Sequence, residues 1–175
     1  PRAQQLLGEC YDNGYGFVLD GYGALRDLHS SPARRSPDLA CALITHTHYD
    51  HVGGIDDLRP YAHHCPGAHF PVYCRADVAA DLRARIPYCF AEHPYPGVPQ
   101  FDLRTIAEGN TFTILPGADF RPLEVEVLGV THGRLPILGF RTGTFAYITD
   151  ASEIPASTIE RLRGLDILVI NALRA

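Results

Sequence analysis

The sequence contains no lysine, methionine or tryptophan, and all 15 of its basic residues are arginine. It also lacks any apolar run near the roughly 18 residues that a membrane span needs; its apolar runs are short, such as Ile167–Ile170. It has no cluster of basic residues, and no basic segment followed by an apolar one opens the chain. We therefore expect neither a membrane partner nor a nucleic-acid partner.

The cysteines are odd in number and form no CxxC pair, which argues against a secreted disulfide framework. They are Cys10, Cys41, Cys65, Cys74 and Cys89. Reduced thiols and the missing signal peptide indicate a cytoplasmic location. Cys41 lies inside an apolar run, so we expect it to be buried.

The chain is long enough for one domain, which we expect to span residues 1–175, and 46% hydrophobic residues suffice for a core. Strands are predicted first at Gln4–Cys10, Gly16–Asp20, Leu39–Thr45 and Phe70–Cys74, with helices at Ile55–Tyr61 and Ala76–Ile86. Residues from Ile86 to Pro99 are predicted to be irregular. Later strands are predicted at Thr111–Leu115, Leu123–Val130, Ile137–Thr142, Thr144–Thr149 and, as a buried run, Leu165–Asn171, with a helix at Pro155–Leu162. The pattern predicts an α/β (α+β) protein with a large antiparallel component.

The strongest functional signal is the segment THTHYDH at residues 45–51, directly after the apolar strand at residues 39–45. Its four candidate ligands, His46, His48, Asp50 and His51, cannot share one face of a regular element, but on a loop they can point towards two neighbouring ions. Imidazole and carboxylate groups suit Zn²⁺, Mn²⁺ or Fe. The alternative is a solvated polar loop, which the residue order and the preceding strand disfavour.

Two further candidates follow predicted strands. His132 comes after the strand that ends at Val130, and Asp150 comes after the strand that ends at Thr149. Taken alone, His132 fits an ordinary strand-end residue better than a ligand, and Asp150 fits the cap of a following turn equally well.

These segments together resemble the metallo-β-lactamase superfamily. The HxHxDH pattern at 46–51 with Gly53-Gly54 resembles its metal motif, and Asp20 in FVLDG is similar to its earlier strand-end aspartate. Residues 131–141 and 147–151 resemble its third and fourth motifs. Residues 54–60 and 90–100 resemble the branch of phosphoribosyl 1,2-cyclic phosphate phosphodiesterase, to which RNase Z is related.

The resemblance implies an αββα sandwich and two divalent ions, with zinc expected first and Mn or Fe as alternatives. By position, His46, His48 and His132 would hold one ion, Asp50 and His51 the second, and Asp150 would bridge both. Asp20 would orient the loop that carries the motif.

The resemblance also implies hydrolysis of a small cyclic phosphate ester by water activated between two ions. Asp50 and Asp150 would be the catalytic carboxylates. Thioester, lactam or RNA 3′-end hydrolysis on the same site is the first alternative, since a fold does not fix a substrate. A non-catalytic metal-binding domain is the second.

Three side chains are weaker candidates for substrate contact. Arg59 and Arg134 suit a phosphate, although Arg59 can also pair with Asp56 or Asp57, and His93 can simply pack in its aromatic loop. The family's last histidine ligand and its general acid would lie beyond Ala175, so we expect the fold to be incomplete at its C-terminus and the chain to be part of a longer protein. Relatives of this type often form homodimers, which makes a homodimer one expected assembly.

Overall fold

A computed structural model describes residues 16–19, 39–62, 69–115 and 122–171 of the chain. The described residues divide into two compact units, one up to Thr105 and the other from Ile106 onward. Each unit contains one β-sheet. The predicted strand Gln4–Cys10 and the predicted ligand-orienting residue Asp20 lie outside the described residues.

The unit up to Thr105, here the N-terminal unit, is built on a four-stranded parallel sheet in the order β1-β2-β3-β4. Its strands are β1 (Gly16–Leu19), β2 (Leu39–Leu43), β3 (Phe70–Cys74) and β4 (Phe101–Thr105). The two central strands, β2 and β3, are apolar and buried along most of their length. Such continuous apolar runs are typical of parallel strands covered on both faces.

Short helical segments connect these strands. They are α1 (Tyr49–Val52), a 3₁₀ turn (Ile55–Leu58), α2 (Arg59–Ala62), α3 (Ala76–Arg85) and a second 3₁₀ turn (Pro87–Phe90). In α3, Val78, Ala79 and Leu82 share a face by their helical spacing and are buried in the core beside β3. The predicted helix at 55–61 is therefore real but begins as a 3₁₀ turn.

The unit from Ile106 onward, here the C-terminal unit, is built on a five-stranded sheet in the order β5-β6-β7-β8-β9. Its elements are β5 (Thr111–Ile114), β6 (Leu123–His132), β7 (Leu135–Thr142), β8 (Phe145–Ile148), the helix α4 (Ala156–Arg161) and β9 (Ile167–Ile170). Strands β5 to β8 are antiparallel, and β9 runs parallel to β8. The predicted antiparallel component is confirmed and lies in this unit.

Two tight turns set the register of the meander. Gly133 and Gly143 have φ of 61° and 54°, a backbone conformation that glycine adopts without steric cost. The helix α4 is tied to the sheet by Thr158, whose buried hydroxyl donates to the carbonyl of Gly129 at 2.7 Å.

Two expectations differ from the structure. The strand β4 was not anticipated, because in the sequence FDLRT only Phe101 is buried and the rest of the strand is largely polar. The segment ILVI of β9 was expected to be buried, but Leu168 and Ile170 are 42% and 45% exposed. The expectation of burial was wrong because an unbroken apolar run does not reveal that alternate side chains of this strand face outward.

The three cysteines within the described residues, Cys41, Cys74 and Cys89, are ordinary core residues. Cys41 is buried as predicted, and burial raises the pKa of the Cys74 thiol to about 12 and that of Cys89 to about 11. Both groups are therefore protonated and unreactive at neutral pH. No helix within the described ranges is long and apolar enough to cross a membrane.

Candidate metal centre

The motif at 45–51 leaves the parallel sheet at the end of β2. The last paired residue of β2 is Leu43, and Ile44 still donates its N–H to the carbonyl of Tyr73 on the neighbouring strand at 2.9 Å. The chain then leaves the sheet and begins α1 at Tyr49. Loops at the carboxyl ends of parallel strands are the usual position of ligand sites in α/β sheets.

His46 is held deep in this loop. It is 1% exposed, and its Nδ1 lies 2.9 Å from the hydroxyl Oγ1 of Thr45, which is fully buried. The His46 ring also lies against the ring of His51, with ring centroids 4.1 Å apart. Packing and a hydrogen bond therefore fix the orientation of this imidazole.

The other nitrogen of His46 points towards His48. The distance from His46 Nε2 to His48 Nδ1 is 3.1 Å. Two nitrogens bound to one tetrahedral Zn²⁺, at about 2.0–2.1 Å each, would be roughly 3.3 Å apart. The two nitrogens are thus already spaced to hold one ion, and the residues fit a zinc-type centre on this observation.

A second pair lies on the single turn of α1. The carboxylate of Asp50 is 75% exposed, and its Oδ2 lies 3.4 Å from Nε2 of His51, whose side chain is only 8% exposed. A buried imidazole beside an exposed carboxylate is a donor set that suits a divalent cation.

The ligand candidates of the C-terminal unit meet for a topological reason. Strands β6 and β8 are both antiparallel to β7, so they run in the same direction and end at the same edge of the sheet. His132 is the last residue of β6, and Asp150 lies two residues beyond the end of β8. One ligand atom of each lies within 4.8 Å of the other.

The segment after Asp150 folds back onto the end of β6. The amide of Thr131 donates to Glu153, while its carbonyl accepts from the amide and the hydroxyl of Ser152 at 2.8 and 3.0 Å. The Ser152 hydroxyl also accepts from the amide of Gly133 at 2.7 Å. Thr131 bonds outward because it forms a non-hydrogen-bonded pair with Pro136: the pair next to the turn, His132 and Leu135, is the hydrogen-bonded one, and the next pair directs its backbone groups away from the partner strand.

Asp150 has an unusual backbone. Its φ is 50°, and among the described residues it is the one non-glycine position with positive φ. Aspartate tolerates this conformation better than most residues, and such positions concentrate at functional sites. Its Oδ1 accepts contacts from the Thr149 hydroxyl at 3.3 Å and from Nδ2 of Asn171 at 3.4 Å.

The weaker candidates are placed differently. The guanidinium of Arg59 donates two bonds to the carboxylate of Asp56, at 2.9 and 2.7 Å, and one to the carbonyl of Gly97 at 2.5 Å. The Asp56 carboxylate raises the pKa of Arg59 above its ordinary value. His93 is exposed in its loop, and Arg134 is exposed in the turn after His132. Their roles in substrate binding stay predictions.

Three polar residues of the site were not singled out from the sequence. Thr45 contacts His46, Asn171 contacts Asp150, and Ser152 ties the loop after Asp150 to β6. Two of them could have been found from the sequence, because Thr45 and Asn171 directly follow apolar strand segments, as the candidate ligands do. Ser152 carries no such signal, since its role depends on a fold-back that the sequence does not display.

Comparisons with known proteins support the family that the motifs indicated. A family model described as the beta-lactamase superfamily domain matches residues 17–175. An octanoyltransferase of Porphyromonas gingivalis is 42% identical over 136 residues, which cover 78% of this chain and 26% of that protein. A solved diphosphatase from the PhnP family is 30% identical, with a TM-score of 0.61, over 74% of this chain and 46% of that one.

A second solved structure, zinc-bound PqqB from Methylobacterium extorquens, is 22% identical, with a TM-score of 0.63, over 92% of this chain and 54% of that one. The chain thus spans about half the length of these two structures and about a quarter of the curated relative. The matches confirm the predicted fold class.

Proposed function

Because the chain belongs to the metallo-β-lactamase superfamily, we propose that it supplies the metal site of a hydrolase that cleaves a small cyclic phosphate ester. The observation that carries the proposal is the convergence of His46 Nε2 and His48 Nδ1 at 3.1 Å, beside Asp50 and His51 on the same loop.

The proposed ligand assignment follows the family motifs. His46, His48 and His132 hold one ion, Asp50 and His51 hold a second, and Asp150 binds both. Zinc is the proposed metal, in keeping with the zinc-bound structural relative and with the imidazole-rich donor set. When bound, the ions supply a water that is nucleophilic near neutral pH and neutralise charge on phosphate oxygens.

The side chains of this loop prepare the site in distinct ways. Burial of His46 and His51 excludes water from one side of the site, while the exposed Asp50 and His48 leave it open to a substrate on the other. The carboxylates of Asp50 and Asp150 supply the negative charge that keeps two cations close together. Arg134, exposed next to His132, is proposed to contact a phosphate oxygen.

The choice of a phosphate substrate is supported by the diphosphatase, the solved relative with the higher identity, at 30%. A second candidate is hydrolysis of an acyl thioester, because the curated relative at 42% identity is named an octanoyltransferase. The match covers only 26% of that protein, so the name does not assign acyl chemistry to the matched part. We therefore place the phosphate ester first and the thioester second, with lactam and RNA 3′-end hydrolysis behind them.

A competition assay separates the candidates. The purified chain, loaded with Zn²⁺ or Mn²⁺, would be given a ribose cyclic phosphate, an octanoyl thioester and a β-lactam in parallel, with His48→Ala as the matched inactive control. The proposal expects turnover of the cyclic phosphate above that of the others and its loss in His48→Ala. Preferential turnover of the thioester would establish the second candidate instead. Turnover of the cyclic phosphate that is no faster than that of the other substrates, or that persists in His48→Ala, would contradict the proposal.

Three further expectations accompany the proposal. A cytoplasmic location follows from the reduced thiols, the partner is a small phosphate ester, and a homodimer is the proposed assembly. Sedimentation of the purified chain over a range of concentrations tests the last of these.

A further inference from the structure

We propose that Thr45 is a positioning residue that selects the tautomer of His46 required for metal binding. The inference rests on the proposed function, since it assumes that His46 is a ligand. Thr45 is not itself a ligand and touches no substrate. It acts through the imidazole next to it.

The contact is well defined. Thr45 is 0% exposed, His46 is 1% exposed, and the distance from Oγ1 to Nδ1 is 2.9 Å. The position of Thr45 is set by the strand, because it comes one residue after Ile44, which still bonds to Tyr73 on β3. The hydroxyl therefore directly follows a residue that is still hydrogen-bonded to β3.

The requirements of metal binding decide which of the two groups donates the hydrogen bond between Thr45 and His46. A neutral imidazole carries one N–H, and the nitrogen that binds a metal must be the one without it. His46 faces His48 with Nε2, at 3.1 Å from the Nδ1 of His48, so Nε2 is the nitrogen that must present a lone pair. The proton then belongs on Nδ1, from which it is donated in a hydrogen bond to the Thr45 hydroxyl oxygen. Removing the Thr45 hydroxyl takes this hydrogen bond away from a buried Nδ1–H, which disfavours the metal-binding tautomer.

The experiment uses two substitutions at Thr45 and one control. Thr45→Val keeps the shape and removes the acceptor, and Thr45→Ser restores an acceptor. Thr47→Val makes the same chemical change in the same motif at a half-buried residue. The first readout is ¹⁵N NMR of the metal-free chain, which identifies the ring nitrogen of His46 that carries the proton. The second is affinity for Co²⁺, measured by its visible absorption in competition with a chelator.

We expect the proton on Nδ1 in the wild-type chain and a shift of the population towards Nε2–H in Thr45→Val. We expect Thr45→Val to weaken Co²⁺ binding about 10–100-fold, as removal of an outer-shell partner commonly does. Thr45→Ser should restore binding close to wild type, and Thr47→Val should leave it unchanged. Unfolding midpoints of the metal-free variants separate these effects from a general loss of stability.

Two results would overturn the proposal. One is a wild-type His46 protonated on Nε2, which can be read even if Thr45→Val does not fold. The other is Co²⁺ affinity in Thr45→Val equal to that of the wild type. Failure of the wild-type chain to bind Co²⁺ at all would instead refute the proposed function, while the NMR measurement would still decide whether Thr45 sets the tautomer.

Discussion

The two units supply their ligand candidates in opposite ways. In the N-terminal unit, four candidates lie within six residues, on one loop and one helical turn after β2. In the C-terminal unit, His132 and Asp150 are 18 positions apart in sequence and are brought together by β7, which lies between their strands in the sheet. The first set is local in sequence, whereas the second depends on the completed sheet.

This difference indicates where each set is vulnerable. The local set needs only the end of β2 and the turn of α1, and its side chains hold one another through the contacts of His46 with His48 and His51. The distant set needs the β6–β7 turn, the strand β8 and the fold-back of Ser152 to be formed together. Damage to the C-terminal sheet should therefore affect metal binding more readily than damage of equal size to the N-terminal sheet.

The largest expected effect is a loss of bound metal, and it tests whether the local set of the N-terminal unit and the distant set of the C-terminal unit serve the same ion. His46→Ala and His132→Ala should each lower the bound metal from about two equivalents to one or fewer, because the proposal assigns both residues to one ion. Elemental analysis of the purified variants measures this, and His69→Ala, at an exposed histidine outside the motifs, is the control. Wild-type stoichiometry in His132→Ala would show that His132 is not a required ligand.

A smaller effect is expected from the backbone of Asp150. In the metal-free chain, Asp150→Ala should be less stable than Asp150→Gly by about 1 kcal/mol, because alanine resists a positive φ that glycine accepts. Asp150→Asn should fold like the wild type yet bind less metal, since it keeps the backbone preference and loses the charge. Urea unfolding with parallel metal analysis gives both quantities. Equal stability of the alanine and glycine variants would argue against a strained backbone.

The smallest expected effect is a loss of stability when the segment after Asp150 is less firmly bonded to the end of β6. Ser152→Ala removes the hydroxyl that joins the amide of Gly133 to the carbonyl of Thr131 and should cost about 0.5–1 kcal/mol of unfolding free energy. Because the fold-back positions Asp150 beside His132, metal affinity should fall as well. Ser157→Ala, at an exposed serine of α4, provides the comparison. Reduced stability with unchanged metal affinity would mean that the fold-back is structural only.

The sequence predicted the local features well and the long-range ones poorly. The strand Phe70–Cys74 and the helix beginning at Ala76 were predicted at their observed positions, because apolar periodicity and charge spacing are local signals. The candidate ligands of the motif follow β2 directly, but only His46 and His48 lie on the expected loop, whereas Asp50 and His51 lie on the turn of α1. The strand β4 was missed because its formation depends on pairing with β3, and the exposure of Leu168 and Ile170 on β9 was missed because it depends on what packs on each face of the sheet.

The same distinction applies within the site. His132 and Asp150 were identified through resemblance to a family, because alone each fits an ordinary structural role. Their proximity follows from two strands that run in the same direction on either side of β7. The contribution of Asn171 required the parallel pairing of β9 with β8, which places the ends of those strands side by side. Such pairings arise from the topology of the whole sheet and leave no local pattern.

The left-handed backbone at Asp150 also limits which substitutions can accumulate at this position during evolution. Glycine, asparagine and aspartate are the residues that accept this conformation most easily. Glycine brings no ligand atom, and asparagine brings no negative charge. Changes that are neutral for folding therefore remove the anionic ligand, and a glutamate that kept the charge would strain the backbone. Purifying selection on metal binding should leave aspartate as the sole tolerated residue at this position.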